Sequence, residues 1–144
     1  MKHSELVIIM DFGGQYSQLI ARRVRECGVY CEIVPFNTPI EKLAAMNAKG
    51  IVFSGGPSSV YSEQAPVCDT KVFEMGIPVL GICYGMQFTA HTLGGKVSHA
   101  DTREYGNTKL YVDLNQGIFS ETDKETQVWM SHGDYIEAAP AGFS

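Results

Sequence analysis

The sequence predicts an α/β fold with a doubly wound, mostly parallel sheet and helices on both faces. Three observations predict it: short continuous apolar runs, amphipathic stretches between them, and glycines that punctuate each change of period. Leu6-Val7-Ile8-Ile9-Met10 reads as a strand buried on both faces. From residue 16 to 27 the apolar positions Tyr16, Leu19, Ile20, Val24 and Cys27 recur at 3 and 4, with Arg22, Arg23 and Arg25 off the stripe, so helix follows strand. Gly28 ends that helix, and residues 30–36 form a second strand. A second helix is expected over 39–46, with Thr38 as its cap and Pro39 at the first helical position. The cycle repeats with a strand over 51–53, a helix over 65–75, Gly76 as punctuation, a strand over 77–82 and a helix over 83–93 closed by Gly94-Gly95. Strands and helices alternating in this way imply right-handed βαβ units. Residues 96–100, 107–113 and 126–130 are short and β-leaning, and are expected to add antiparallel or mixed strands at one edge of the sheet.

Composition excludes several classes. The chain has 144 residues, 44% of them hydrophobic, and 11 Lys and Arg against 16 Asp and Glu give a net charge of −5. Leu, Ile, Val and Phe account for 36 residues, which is too many for a disordered chain. One domain over residues 1–144 is expected. Scattered charge of mildly acidic balance leaves no footprint for nucleic acid or an anionic membrane. The apolar runs are too short to span a bilayer and the first residues lack a signal-peptide core, so a cytoplasmic domain is expected. Cys27, Cys31, Cys68 and Cys83 form neither a disulfide framework nor a zinc-like spacing; they are read as separate thiols, with no metal expected.

The glycines sort by position. Gly28 and Gly76 end helices, whereas Gly13-Gly14, Gly55-Gly56 and Gly81/Gly85 follow strands, at the sheet edge where ligands bind. Gly81-Ile82-Cys83-Tyr84-Gly85 between a strand and a helix has the form of a nucleophile elbow with Cys in place of Ser. A helix N-terminus favours the thiolate, the form that attacks. The Tyr84 N–H is one candidate oxyanion donor, and Ser54-Gly55-Gly56-Pro57 is the candidate source of a second. The plainer alternative makes Cys83 a small buried hydrophobe and the Gly-Gly segment a simple loop.

Gly81-Ile82-Cys83-Tyr84-Gly85-Met86-Gln87, preceded by Ser54-Gly55-Gly56-Pro57 and followed by Ser131-His132-Gly133-Asp134, resembles the class I, triad-type glutamine amidotransferases. Within that family, residues 11–16, 21–25, 29–32, 103–106 and 128–134 are similar to the branch that supplies ammonia for amination of XMP to GMP. The resemblance implies a Cys83 nucleophile acting on glutamine, an oxyanion hole from Gly56 and Tyr84, and glutamine contacts at Gln87, Ser131 and Gly133. It implies no cofactor in this domain, and as partner an ATP-pyrophosphatase synthetase domain or subunit that uses Mg-ATP on XMP.

The family's His and Glu lie in a His-Pro-Glu motif, which this sequence does not contain. His91 stands eight residues into the helix after Cys83, about 12 Å along its axis, too far for a base beside the thiol. His3 and His99 are read as terminal and edge-strand residues. His132 is the tempting base on position alone, but the resemblance makes its segment a glutamine-binding and domain-contact element. The chain is therefore expected to be an amidotransferase domain incomplete at its C-terminus, inactive alone, and able to self-associate through an exposed apolar edge. Trp129 is expected in the core, Asp11 caps the next helix or touches a ligand, and Cys27, Cys31 and Cys68 are structural. Competing readings are another Cys-elbow α/β protein, such as a stress-related chaperone or deglycase, a silent binding domain, and an amidotransferase serving a different acceptor.

Overall fold

The structure, a computed structural model, describes residues 5–144, apart from the side chains of residues 102–104. His3, and the side chains of Arg103 and Glu104 in the segment used for the resemblance, lie outside the described residues. The chain divides into two compact units, one running up to Ser98 and resuming over Ile136–Ser144, the other His99–Tyr135.

The first unit is built on β1 (Leu6–Asp11), α1 (Ser17–Glu26), β2 (Tyr30–Pro35), α2 (Ile40–Ala45), β3 (Gly50–Phe53), β4 (Val79–Gly81) and α3 (Tyr84–Thr92). The four strands form one parallel sheet in the order β2-β1-β3-β4. Ile9 pairs with Ile33 and Val52, and Met10 with Val34 and Phe53. The period of two then divides the residues between faces. Ile8, Met10, Ile51 and Phe53 pack with Leu43 of α2, Phe88 of α3 and Val72. Ile9, Cys31 and Val52 pack with Ala21, Ile20 and Val24 of α1. Helices therefore cover both faces, as the apolar runs require: Ile8, Ile9, Met10 and Phe53 are fully buried. Each such side chain is stabilised by about 1.5–3 kcal/mol of burial. Beyond α1, the sheet leaves Leu80 and Ile82 exposed.

The predicted helix over 65–75 is not formed. Only Thr70–Glu74 winds, as a short 3-10 helix whose first turn is capped by Asp69, accepting from the Lys71 N–H at 3.0 Å. Pro66 and the Asp69 cap account for this, because proline disfavours helix in the residue before it and a capped Asp places the start of the helix after itself. The second helix is also shorter than expected: it spans Ile40–Ala45 with Pro39 as the flanking residue. Thr38 is not its cap, since its hydroxyl donates back to the Pro35 carbonyl at 2.6 Å. The remaining helix and strand ends shift by one or two residues.

The strands after residue 95 do not extend the parallel sheet. β5 (Lys96–Tyr111) and β6 (Glu125–Ala138) pair with each other in a separate two-stranded sheet. Partners Lys96–Glu137, His99–Asp134 and Lys109–Glu125 run in opposite order along the two strands, so the ribbon is antiparallel. Three short predicted strands have thus become two long ones, and the Ser131–Asp134 segment is strand where a loop was expected. Trp129 is 78% exposed and not a core residue. Alternation on an antiparallel ribbon turns residues 125, 127, 129 and 131 to one face, and that face is in water.

Candidate active site

Cys83 lies where β4 meets α3, with φ 53° and ψ −114°. A side-chain-bearing residue rarely adopts positive φ, and such strain is held only where the surroundings enforce it. The flanking glycines make room for the turn that holds it. A Cβ at Gly81 would stand 2.7 Å from the Gly85 carbonyl oxygen and from the Met86 backbone, and one at Gly85 would stand 2.5 Å from Phe53 Cβ. The Ile82 N–H continues the β3 pairing by donating to the Phe53 carbonyl at 3.0 Å, and the Gly85 N–H donates to Ile82 at 3.0 Å, closing the turn. Helix α3 then begins at Tyr84, with the Gln87 N–H donating to the Cys83 carbonyl at 3.1 Å. The Tyr84 N–H heads the helix, at a position without an intrahelical acceptor. The elbow expected from Gly81-x-Cys83-x-Gly85 is formed.

Gly55 is packed against the thiol. A Cβ there would meet Cys83 Cβ at 3.2 Å and Sγ at 3.8 Å, and one at Gly56 would meet the Phe12 carbonyl oxygen at 2.5 Å. The loops after β1 and β3 are fastened by Ser54, which is 1% exposed and whose hydroxyl accepts from the Phe12 N–H at 3.0 Å. Asp11 does not cap α1, whose flanking residue is Tyr16; its Oδ1 instead accepts from the Gly13 N–H at 2.9 Å, closing a turn after β1, and from the Ser17 hydroxyl at 3.0 Å. Within the first unit Gly55 is therefore brought to Cys83, Gly56 lies beside Phe12, and Tyr84 and Gln87 fall in the first turn of α3. Gln87 is 4% exposed, one turn into α3. Ser131 and Gly133 belong to β6 in the second unit, with Ser131 exposed and Gly133 half-buried.

The described histidines have distinct settings. His91 is exposed near the end of α3 and meets the Tyr61 ring edge-on at 5.2 Å. His99 Nδ1 lies 2.7 Å from Asp134 Oδ1 across the ribbon. His132 is a half-buried residue of β6. Of the other cysteines, Cys31 is buried and donates to the Ala21 carbonyl at 3.4 Å, and Cys27 is exposed. Burial pushes the Cys68 thiol up to about 12. Among the described residues no three of His, Cys, Asp and Glu are grouped to hold a metal ion. No helix among them is long and apolar enough to cross a membrane.

Sequence reasoning gave the Ser54 loop its glycines but not its Ser54 hydroxyl, and it missed the side chains of Tyr61 and Tyr84. Their hydroxyls donate to the Val97 carbonyl at 2.6 Å and the Pro66 carbonyl at 2.7 Å. For Tyr84, 1% exposed among apolar residues, the available signal was a tyrosine in an otherwise apolar cluster, since a buried hydroxyl must find an acceptor; Tyr61, 61% exposed, carried no such signal.

A family model described as glutamine amidotransferase class-I matches residues 8–144. The glutamine-hydrolysing GMP synthase of Caldicellulosiruptor saccharolyticus is 59% identical over 143 residues, covering 99% of this chain and 28% of that protein. The corresponding enzyme of Clostridium botulinum strain Alaska E43 is 55% identical over 139 residues, covering 96% and 27%. The chain therefore spans little more than a quarter of these relatives' length. Among solved structures, a Thermoplasma acidophilum protein provisionally assigned as a GMP synthase subunit superimposes with a TM-score of 0.86 at 32% identity, covering 100% of this chain and 72% of that one. A Thermotoga maritima glutamine amidotransferase, at 20% identity and a TM-score of 0.70, covers 95% of this chain and 64% of that one and shares the fold.

Proposed function

The chain belongs to the class-I glutamine amidotransferase family, and from that premise we propose that Cys83 is the nucleophile of a glutaminase supplying ammonia for GMP synthesis. The backbone at Cys83, with φ 53° in a turn that only glycine at 81 and 85 leaves room for, is the observation that carries this reading. Cys83 Sγ attacks the side-chain amide carbon of glutamine, and the N–H groups of Gly56 and Tyr84 hold the oxyanion of the tetrahedral adduct. Ammonia leaves as the C–N bond breaks, and water then cleaves the γ-glutamyl thioester to glutamate and free thiol. Gln87, Ser131 and Gly133 hold the glutamine. The ammonia passes to an ATP-pyrophosphatase domain or subunit, which adenylates XMP with Mg-ATP and aminates it to GMP in the cytoplasm. Self-association through the exposed Leu80 and Ile82 belongs to the same reading.

Proton transfer needs a base beside the thiol. With no His-Pro-Glu in the 144 residues, negligible turnover is expected of this chain alone. The test is labelling with a glutamine-like chloroketone, read by peptide mass spectrometry. Modification of Cys83, slowed by glutamine, supports the reading, and modification confined to Cys27 or Cys68 overturns it. Glutamate release by the isolated chain at the rate of a full-length relative would overturn the inactivity.

A further inference from the structure

Residues 57–69 follow the Gly56 donor and contain no regular helix or strand. Bonds such as Ser62 N–H to Ser59 and Ala65 N–H to Ser62 are local turns that leave the loop's position to other contacts. Two tyrosine hydroxyls anchor it to the scaffold: Tyr61 to the Val97 carbonyl at 2.6 Å, and Tyr84 to the Pro66 carbonyl at 2.7 Å. Tyr84 is the better placed of the two. Its ring, 1% exposed, lies 5.7 Å from that of Phe12, whose carbonyl oxygen abuts Gly56. One side chain thereby touches both ends of the loop: the far end through its hydroxyl and the near end through Phe12.

We propose that the Tyr84 side chain is a positioning group for the oxyanion hole, setting the Gly56 N–H against the elbow by fixing the loop at Pro66 and at Phe12. The residue that heads α3 with one candidate donor thus places the other. Burial raises the phenol's pKa, which keeps it protonated and a donor. A displacement of about 1 Å in such a donor is enough to cost about a hundredfold in reaction. The inference rests on Cys83 being the glutaminase nucleophile.

The test uses glutamate γ-semialdehyde on this chain. Its aldehyde adds the Cys83 thiol: an S–C bond replaces the C=O π bond, the proton passes to oxygen, and the resulting hemithioacetal oxygen occupies the oxyanion hole. Iodoacetamide alkylates the same sulfur by displacing iodide, the thiol proton going to solvent, and leaves no oxygen on the attacked carbon. The semialdehyde concentration that half-protects Cys83 from iodoacetamide, resolved by peptide mass spectrometry, therefore reads the hole separately from the thiol. Tyr84→Phe is expected to raise that concentration at least tenfold, with the unprotected iodoacetamide rate within about twofold of wild type. An unchanged half-protection value overturns the proposal. So does a parallel fall in both reactions, which is what a merely structural role produces. If Tyr84→Phe fails to fold, Phe12→Leu reads the near end of the same coupling, and wild-type protection in that variant is the overturning result. Absence of any protection in the wild type removes the glutaminase reading itself, and the proposal with it.

Discussion

Phe53 and Trp129 are both large aromatic residues on strands, yet Phe53 is fully buried and Trp129 is 78% exposed. Phe53 belongs to a central parallel strand with neighbours on both sides and a helix layer over its face, where its ring meets Phe12 at 5.2 Å and Phe73 at 5.7 Å. Trp129 belongs to a two-stranded ribbon, one of whose faces is in water. The difference teaches that strand neighbours and covering layers decide what a residue contributes, and that hydrophobicity alone does not. The elbow stands on the well-packed side of this contrast: Gly85 is pressed against Phe53, so the turn that presents Cys83 inherits the rigidity of the core.

Urea denaturation of paired variants tests that contrast. Phe53→Ala is expected to cost about 3–5 kcal/mol, against less than about 0.5 kcal/mol for Trp129→Ala. Equal losses would end the comparison. Next is Gly85→Ala, whose Cβ has no room beside Phe53 Cβ and carbonyl oxygen, with an expected loss of about 3 kcal/mol. Gly106→Ala in the ribbon meets open space but keeps φ +107°, so only the backbone strain of about 1–3 kcal/mol remains. Ser54→Ala leaves the buried Phe12 N–H without its acceptor, for about 1–3 kcal/mol.

The last effect is silent at neutral pH and emerges only in alkali. The Cys68 thiol is raised by burial from an ordinary 9.0 to about 12, so the folded chain holds this proton more tightly than the unfolded one. Its contribution to stability is complete below pH 9 and is lost as the pH climbs towards 12. Cys68→Ala is expected to flatten the stability profile across that window. At neutral pH, iodoacetamide is expected to spare Cys68 while it modifies Cys27.

The sequence was most informative where the apolar pattern had one physical solution. The run from Leu6 to Met10 fitted a doubly covered strand, the 3-and-4 stripe from Tyr16 fitted a helix, and Gly81-x-Cys83-x-Gly85 fitted a tight turn, which the structure forms with backbone crowding both glycines. It was least informative where the outcome depended on partners. Residues 65–75 carry apolar spacing compatible with a helix, but Pro66 and the Asp69 cap confined winding to a few residues. Alternation over 96–138 marks strands without saying which strand is the neighbour, so a separate ribbon was not distinguishable from an extended sheet. The glutamine contacts proposed at Ser131 and Gly133 fall in that region. Hydroxyl destinations, such as Thr38 to Pro35 and Tyr84 to Pro66, depend on geometry that no local pattern carries.

In a parallel sheet of order β2-β1-β3-β4, the chain leaves β1 and β3 in opposite directions, and the gap between their carboxyl ends is where such folds usually receive a ligand. Here bare backbone occupies that gap: Gly14 lies against the Gly55 carbonyl and Gly56 against that of Phe12. The customary berth is plugged by the protein's own main chain, and the Cys83 sulfur stands one strand further along, beyond β4. A side chain at position 14 or 56 would wedge the plug apart and disturb the spacing of the loop whose Gly55 lies against Cys83.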